Sequence, residues 1–183
     1  MNVQLPLQMD KSAFLAWVQG REERYELVDG RVVMMTGASR NHGRIIRNVL
    51  ALLSTQLGSQ WEPIAEFGID SAPRTLRYPD IVVDRASASG DDYRAIEPIL
   101  LIEVLSPTSE AIDLGDKAAE YVHMPTVQAY IVLAQNEPKA WVWVRRDADL
   151  LEGPTVTSGP DLHLVIAAPA LNLPLSAVYR GVL

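Results

Sequence analysis

The sequence predicts a mixed α/β domain in which helices cover a central β-sheet. Three observations lead to this fold class. β-type runs and helical stretches follow one another irregularly, Asp29-Gly30 marks a tight hairpin between two runs, and the run ILLIEVL is apolar on both faces apart from one glutamate. The chain has 183 residues, 48% of them hydrophobic, and shows no internal repeat or long linker. We therefore expect one domain over residues 1–183 with its own core.

Spacing of apolar residues and turn signals set the order of the predicted elements. The longest helix starts at Ser39 or Asn41 and runs to Gly58, because apolar residues recur there at helical spacing. Pro107 ends a strand and starts the next helix, since proline is tolerated in a first helical turn. The other predicted elements are a helix from Asp10 or Ser12 to Gln19, a hairpin over 25–35, strands over 61–69, 78–84 and 99–105, a helix to about His123, strands over 127–134, 140–146 and 162–167, and a tail that forms a turn or short helix.

Composition excludes several classes of function. The chain has no cysteine, so a disulfide scaffold, a thiolate nucleophile and a zinc–thiolate site are excluded. Its formal net charge of -7 argues against holding nucleic acid by bulk charge, although a local basic stripe or a bound metal ion would still bind phosphates. No apolar run reaches the ~18 residues of a membrane span. The start of the chain resembles no export signal, so we expect a cytoplasmic protein.

Three carboxylates in apolar β-runs are the main sign of chemistry: Glu26, Asp80 and Glu103. An ionised carboxylate is rarely buried alone, because its desolvation costs several kcal/mol or more. Such a group pairs with Arg or Lys, stays protonated or binds a cation. The simpler alternative is that one or two of these three carboxylates face solvent or pair with an arginine. For all three together a cation is favoured, and oxygen ligands select magnesium, manganese or calcium.

Lys117 and His42 each allow a structural and a functional interpretation. Lys117 lies in the helix after the Glu103 strand, where it would form an ordinary i,i+4 ion pair with Asp113 or reach back to a metal-bound water. His42 lies on the apolar stripe at the start of its helix. It would be a satisfied core residue or, near the positive end of the helix, contact a phosphate or the metal shell.

Two further patterns carry alternatives. Arginines at 40, 44 and 47 recur on one helix face, which is more typical of a solvated face than of a phosphate-binding one. Trp141 and Trp143 alternate with valine, which favours one face of a sheet over a platform for stacking bases. The chain lacks the G-x-S-x-G, G-x-x-x-x-G-K, G-x-G-x-x-G and H-E-x-x-H motifs.

The motifs Y-P-D, E-V-L-S-P-T and D-x-x-x-K-x-x-x-Y, in this order and spacing, resemble the Uma-two family. This bacterial family of restriction-endonuclease-like proteins lies within the PD-(D/E)XK nuclease superfamily. The resemblance runs from YELVDGRVVMM, through P-x-V-x-x-Y-I-V-L, to LPLSAVY near the end of the chain. It implies a restriction-endonuclease-like fold with a mixed central sheet flanked by helices.

The resemblance also implies roles for individual residues. Asp80 would be the aspartate of the PD element and Glu103 the acid of the (D/E)XK element. The superfamily's lysine normally stands two residues after that acid, where this chain has Leu105. Lys117 would take over its role from the following helix. Glu26 and His42 match the glutamate before the core and the helix position that faces the site.

The resulting hypothesis is magnesium-dependent hydrolysis of phosphodiester bonds, most plausibly in DNA, with manganese as a substitute. Asp80, Glu103, the main-chain carbonyl of Val104 and Glu26 would hold or support the metal. Lys117 would position or activate the attacking water, and His42 would contact the phosphate or the metal's surroundings. Alternatives are a nuclease-like module that binds DNA or a protein partner without cutting, and hydrolysis of RNA or a smaller phosphoester. A homodimer would suit cleavage of two strands, although no sequence feature shows one.

Overall fold

A computed structural model describes residues 3–35, 37–87, 89–106, 109–146, 151–166 and 170–182. In this part of the chain no helix is long and apolar enough to cross a membrane. The elements, in chain order, are β1 (Val3–Gln8), α1 (Lys11–Val18), β2 (Tyr25–Val28), β3 (Arg31–Met34), α2 (Arg40–Gln56), β4 (Trp61–Ala65), β5 (Ile69–Ala72), β6 (Thr75–Arg77), β7 (Ile81–Arg85), β8 (Leu100–Val104), a π-helical segment (Ile112–Lys117), α3 (Ala118–Tyr121), β9 (Ala129–Leu133), β10 (Lys139–Arg145), β11 (Leu151–Ser158), β12 (His163–Ile166), β13 (Leu171–Pro174) and α4 (Leu175–Val178).

A six-stranded mixed sheet forms the centre of the fold, in the order β11-β10-β9-β8-β7-β4. β8 and β9 are parallel, whereas their other neighbours in this sheet run antiparallel. A parallel pair needs a crossover between its strands. The π-helical segment and α3 form one continuous helix that supplies it, called the Lys117 helix below. All residues of β8 and β9 are buried, as expected for central strands covered on both faces.

Separate apolar clusters form on the two faces of this sheet. α2, β13 and α4 cover one face, where Ile45, Val49 and Leu53 of α2 are fully buried. The Lys117 helix covers the other face through Ala118 and Tyr121. A five-stranded sheet, β1-β3-β2-β6-β5, carries α1 and a third, smaller cluster. The predicted fold class, a mixed sheet flanked by helices, is confirmed.

Local signals placed several boundaries correctly. Asp10 caps α1 by accepting a hydrogen bond from the amide of Ala13, and Ser39 caps α2 by accepting one from His42. Asp29 and Gly30 both have positive φ, at 47° and 77°, as a two-residue hairpin turn requires.

The predicted strand over 61–69 is wrong as one element. β4 pairs with β7 in the large sheet, whereas β5 pairs with β6 in the small one. Glu66 lies between them with φ of 52°, a left-handed conformation that breaks the extended chain. The structure also contains strands β1, β11 and β13, which the sequence did not indicate. β11 is an edge strand with mostly exposed residues, so it lacks the apolar alternation that marks a strand. Pro107, Thr108 and Ala167, which the predicted boundaries include, lie outside the described residues.

Candidate active site

The five residues selected from the sequence line one cavity of about 60 Å³. This volume holds a few water-sized groups. Asp80 precedes β7 and Val104 ends β8, and the cavity lies between them where the two sheets meet the Lys117 helix. All five side chains are buried. The cavity is lined by Glu26, His42, Asp80, Glu103 and Lys117, together with Val104 and Asp113.

Lys117 and Glu103 form the central contact of the cavity. The Lys117 Nζ donates a hydrogen bond to Glu103 Oε1 at 2.8 Å and lies 3.1 Å from Asp113 Oδ1. Asp113 and Lys117 both belong to the π-helical segment, where side chains four residues apart lie on the same face. The Tyr130 hydroxyl donates to the main-chain carbonyl of Asp113 at 2.9 Å, which ties this turn to β9. Lys117 thus contacts Glu103 although it stands fourteen residues after it in the sequence.

Glu26 is held from two sides. Its Oε2 accepts a hydrogen bond from Arg77 Nη1 at 3.0 Å, and its Oε1 accepts one from the amide of Tyr78 at 3.2 Å. The Lys117 Nζ lies 3.7 Å from the same Oε1. Arg77 is in turn bound by both carboxylate oxygens of Glu120. Both oxygens of Glu26 therefore have protein partners, and Glu26 lies beside Lys117.

Asp80 faces Glu103 from the neighbouring strand. Ile81 pairs with Ile102 in antiparallel register, so the preceding residue, Asp80, comes opposite Glu103. Asp80 Oδ2 accepts a hydrogen bond from the Val104 amide at 2.7 Å and lies 3.1 Å from His42 Nε2. His42 is thus in contact with the candidate site and is more than a core residue.

Negatively charged side chains outnumber positively charged ones in this cavity. Four carboxylates, those of Glu26, Asp80, Glu103 and Asp113, line the cavity with the Lys117 ammonium. The nearby guanidinium groups offset little of this charge, because Arg24 is paired with Glu66 and Arg77 with Glu120 as well as with Glu26. Burial, and then the negative charges of Asp113 and Asp80, raise the pKa of Glu103 well above its ordinary value despite Lys117.

The pKa values of the other titratable groups in the cavity are also shifted by burial and by neighbouring charges. Burial also raises the pKa of Asp113. Burial alone would raise the pKa of Glu26, but Lys117 and Arg77 hold it below its ordinary value. Burial would lower the pKa of Lys117, yet Glu103, Glu26 and Asp113 raise it well above its ordinary value, so Lys117 remains an ammonium ion.

The donor set suits a hard divalent cation. Among the described residues, no group of three acidic or histidine side chains is arranged to hold a metal by itself. Magnesium needs only one or two protein carboxylates, because it keeps several of its water ligands. Asp80 and Glu103 supply two facing carboxylates. The Val104 amide points towards Asp80, and the carbonyl of the same extended residue points to the same side of the strand. These three groups fit magnesium or manganese, and the excess negative charge favours a cation there.

Sequence reasoning missed Arg77 and Glu120, which clamp Glu26. Arg77 stands three residues before Asp80, but nothing in the sequence distinguishes a buried arginine from a solvated one. Asp113 was noticed only as the helical partner of Lys117, but it also lines the cavity.

The chain is similar in sequence to a known family and to two Synechocystis proteins. The profile of the family described as "Uma2: Putative restriction endonuclease" matches residues 12–176. The uncharacterized protein slr1290 of Synechocystis sp. is 28% identical over 177 residues, which cover 92% of this chain and 90% of that protein. A second Synechocystis protein, sll1609, also uncharacterized, is 27% identical over 62% of this chain and 67% of its own length.

A solved structure shares the fold. It is the crystal structure of "a putative nuclease belonging to DUF820" from Anabaena variabilis, which superimposes with a TM-score of 0.78 over 96% of this chain and 99% of that one, at 16% sequence identity. At this identity the likeness concerns the fold, and it confirms the restriction-endonuclease-like architecture.

Proposed function

Because the chain belongs to the Uma2 family of restriction-endonuclease-like proteins, we propose that it is a divalent-metal-dependent nuclease that hydrolyses phosphodiester bonds in DNA. One observation carries the proposal above all others. The Lys117 ammonium lies 2.8 Å from Glu103 in a buried cavity that also contains Asp80. A nuclease site of this superfamily combines two acids and a lysine, and the chain supplies the lysine from a new position.

Each residue of the cavity has a distinct role in this proposal. Asp80, Glu103 and the Val104 carbonyl would hold magnesium, which when bound polarises the scissile phosphate and lowers the pKa of a water molecule. Lys117 stays charged, so it stabilises negative charge on the phosphate and orients the water rather than removing its proton. Glu26 holds the Lys117 ammonium in place.

Asp113 and His42 complete the assignment. The raised pKa of Asp113 suits a carboxylate that accepts the proton of the attacking water. His42 reaches Asp80 and fixes the orientation of its carboxylate, beside the place where a phosphate would enter.

Cleavage of supercoiled and linear DNA in magnesium or manganese tests the proposal. We expect nicking or cutting by the wild-type protein and its loss in Asp80→Asn, Glu103→Gln and Lys117→Ala. Asp84→Asn is the matched control, because Asp84 is also buried and lies four residues further along, within β7, but accepts hydrogen bonds from the amides of Ile96 and Glu97 outside the cavity. Full activity in all three site variants would refute the assignment.

The same assay separates the remaining alternatives. Metal-dependent cutting of RNA but not DNA would change the substrate, and binding of DNA without cutting in any metal would indicate a non-catalytic module. Cutting of both strands by a dimer, measured by sedimentation beside the cleavage assay, would support the two-subunit arrangement. The proposed site of action is the cytoplasm.

A further inference from the structure

A second depression of about 470 Å³ lies directly beside the candidate active site. Ser106 lines both the depression and the catalytic cavity, so the two adjoin at this residue. The depression, called the Trp141 groove below, is otherwise lined mainly by Glu110, Asn136, Glu137, Lys139 and Trp141. None of these residues takes part in the proposed hydrolysis.

The register of the central sheet fixes the distance between Trp141 and the catalytic acid. Trp141 pairs with Val132 on β9, and Val132 pairs with Glu103 on β8. Residues paired in register project from the same face of a sheet, so Trp141 stands on the face that carries Glu103. Two strand spacings separate them, which places their Cα atoms about 10 Å apart. A nucleotide whose phosphate lies at Glu103 has the groove within reach of a neighbouring base.

The chemistry of the groove suits an uncharged aromatic ring rather than a phosphate. Trp141 is half-buried, and the Lys139 ammonium lies 4.6 Å from the centre of its ring. The carboxylates of Glu110 and Glu137 line the same space, and the Lys139 ammonium, 3.8 Å from Glu137, offsets only one of them, so the remaining negative charge disfavours a phosphate. Asn136 is exposed there and has an amide of the type that hydrogen-bonds to base edges.

We propose that the Trp141 groove binds an unpaired nucleobase of the strand whose phosphate occupies the active site. The proposal rests on the nuclease function proposed above and names its substrate class more narrowly. A base stacks on a side chain only when it has left the base stack, so the substrate is single-stranded or locally unpaired. A cation over an exposed ring is a weaker contact than a stacked base, so the base displaces the Lys139 ammonium from the ring.

Binding in a metal-free buffer tests this inference separately from cleavage. The probes are labelled single-stranded DNA and RNA oligonucleotides of about ten nucleotides, a duplex of the same sequence, and an abasic strand with the same phosphates. We expect Trp141→Ala to weaken binding of both single strands about tenfold, and Trp141→Phe to keep most of the affinity because its ring still stacks. The abasic strand should bind the wild type and Trp141→Ala equally.

Trp61→Ala is the matched control. Trp61 is also half-buried and has a cation near its ring, Arg85 at 5.5 Å, but it lies on β4 at the far edge of the sheet. Its loss should leave the affinity for every probe unchanged. Tryptophan fluorescence gives a second readout, because stacking should quench emission in the wild type and less in Trp141→Phe.

Equal affinity of wild type and Trp141→Ala for the single strands would overturn the inference, and so would tighter binding of the duplex. The outcome is distinguishable from that of the nuclease proposal. Binding that depends on Trp141, without cleavage in any metal, would leave the groove in place and refute the enzyme. Metal-dependent cleavage together with equal binding of the single strands by wild type and Trp141→Ala would support the enzyme and refute the groove.

Discussion

The ion pairs around Lys117 and the ion pair between Arg85 and Glu97 both join a basic side chain to carboxylates, but in opposite surroundings. Lys117 meets three carboxylates in a buried cavity, whereas Arg85 and Glu97 meet at 2.5 Å on the surface. A buried ion pair stabilises a fold no more than well-packed apolar residues of similar size would, because the cost of desolvating the two charges offsets their attraction. A surface pair gives little because water and salt screen it.

The difference in surroundings indicates which charged groups are suited to catalysis. A cluster that pushes carboxylate pKa values upwards opposes the stability of the fold, and sites with that property are typical of catalysis. The surface pair has no such feature.

The largest effect is expected from Lys117→Met, which fills similar space without charge. Three buried carboxylates lose their cation, and breaking a buried pair in this way costs about 3–5 kcal/mol in the free energy of unfolding. DNA cleavage should fall by at least about 100-fold, because the variant loses a preorganised charge near the scissile phosphate. Urea unfolding and a cleavage assay measure the two effects. A variant as stable and as active as the wild type would remove Lys117 from the site.

Glu103→Gln is expected to abolish cleavage and yet preserve or raise stability at neutral pH. The raised pKa means that folded Glu103 binds its proton more tightly than the unfolded chain does. Its contribution to stability is therefore present at acid pH and is lost as the pH rises from the unfolded value of 4.5 towards the higher folded value.

The pH dependence distinguishes this explanation from a simple loss of packing. The stability of Glu103→Gln relative to the wild type should rise between about pH 5 and about pH 8, as urea unfolding at both values would show. A difference that stays constant over this range would mean that Glu103 is an ordinary ion-pair partner of Lys117.

The main acids of the site were predictable from the sequence, and their supports were not. Glu26, Asp80 and Glu103 stood out because each interrupts an apolar run, and burial of a carboxylate needs a reason. Lys117 was found through its spacing from Asp113 and a family resemblance. Arg77, by contrast, lies among other arginines in the sequence, and only the pairing of β2 with β6 brings it to Glu26.

For the fold, too, local features were predictable from the sequence and features that depend on distant residues were not. Caps at Asp10 and Ser39 and the turn at Asp29-Gly30 are local, so a few residues determine them. The division of 61–69 between two sheets depends on distant partner strands, and the π-helical turn depends on packing against Tyr130. Neither leaves a periodic pattern in the sequence.

Metal binding should stabilise the wild-type protein measurably. Magnesium or manganese at about 100 times its dissociation constant adds about 2.7 kcal/mol to the free energy of unfolding. The shift in melting temperature should grow as the pH rises, because a bound metal requires ionised Glu103. Asp80→Asn should show no shift, with Asp84→Asn as the control that keeps it. An equal shift in all three proteins would place the metal elsewhere.

A smaller effect on cleavage is expected from Arg77→Met. Breaking the buried pair between Arg77 and Glu26 costs about 3–5 kcal/mol in the free energy of unfolding, as at Lys117, and Glu120 also loses its partner. Cleavage should fall by about tenfold, because Glu26 then holds Lys117 less firmly. The fall should appear in kcat at saturating DNA rather than in KM. Unchanged kcat would mean that Arg77 serves the fold alone.

The smallest effect is expected at the surface, where Arg85→Ala and Glu97→Ala test the other side of the comparison. The hydrogen bond between the two side chains raises the pKa of Arg85 and lowers the pKa of Glu97, but both side chains lie at the surface. Screening by water leaves such a pair almost no net contribution. Thermal melting curves of both variants and of the double variant should therefore overlay the wild-type curve, and high salt should not alter this agreement. A clear loss of stability in either single variant would contradict this contrast between the buried cluster and the surface pair. The exposed pair would then stabilise the fold despite screening by water.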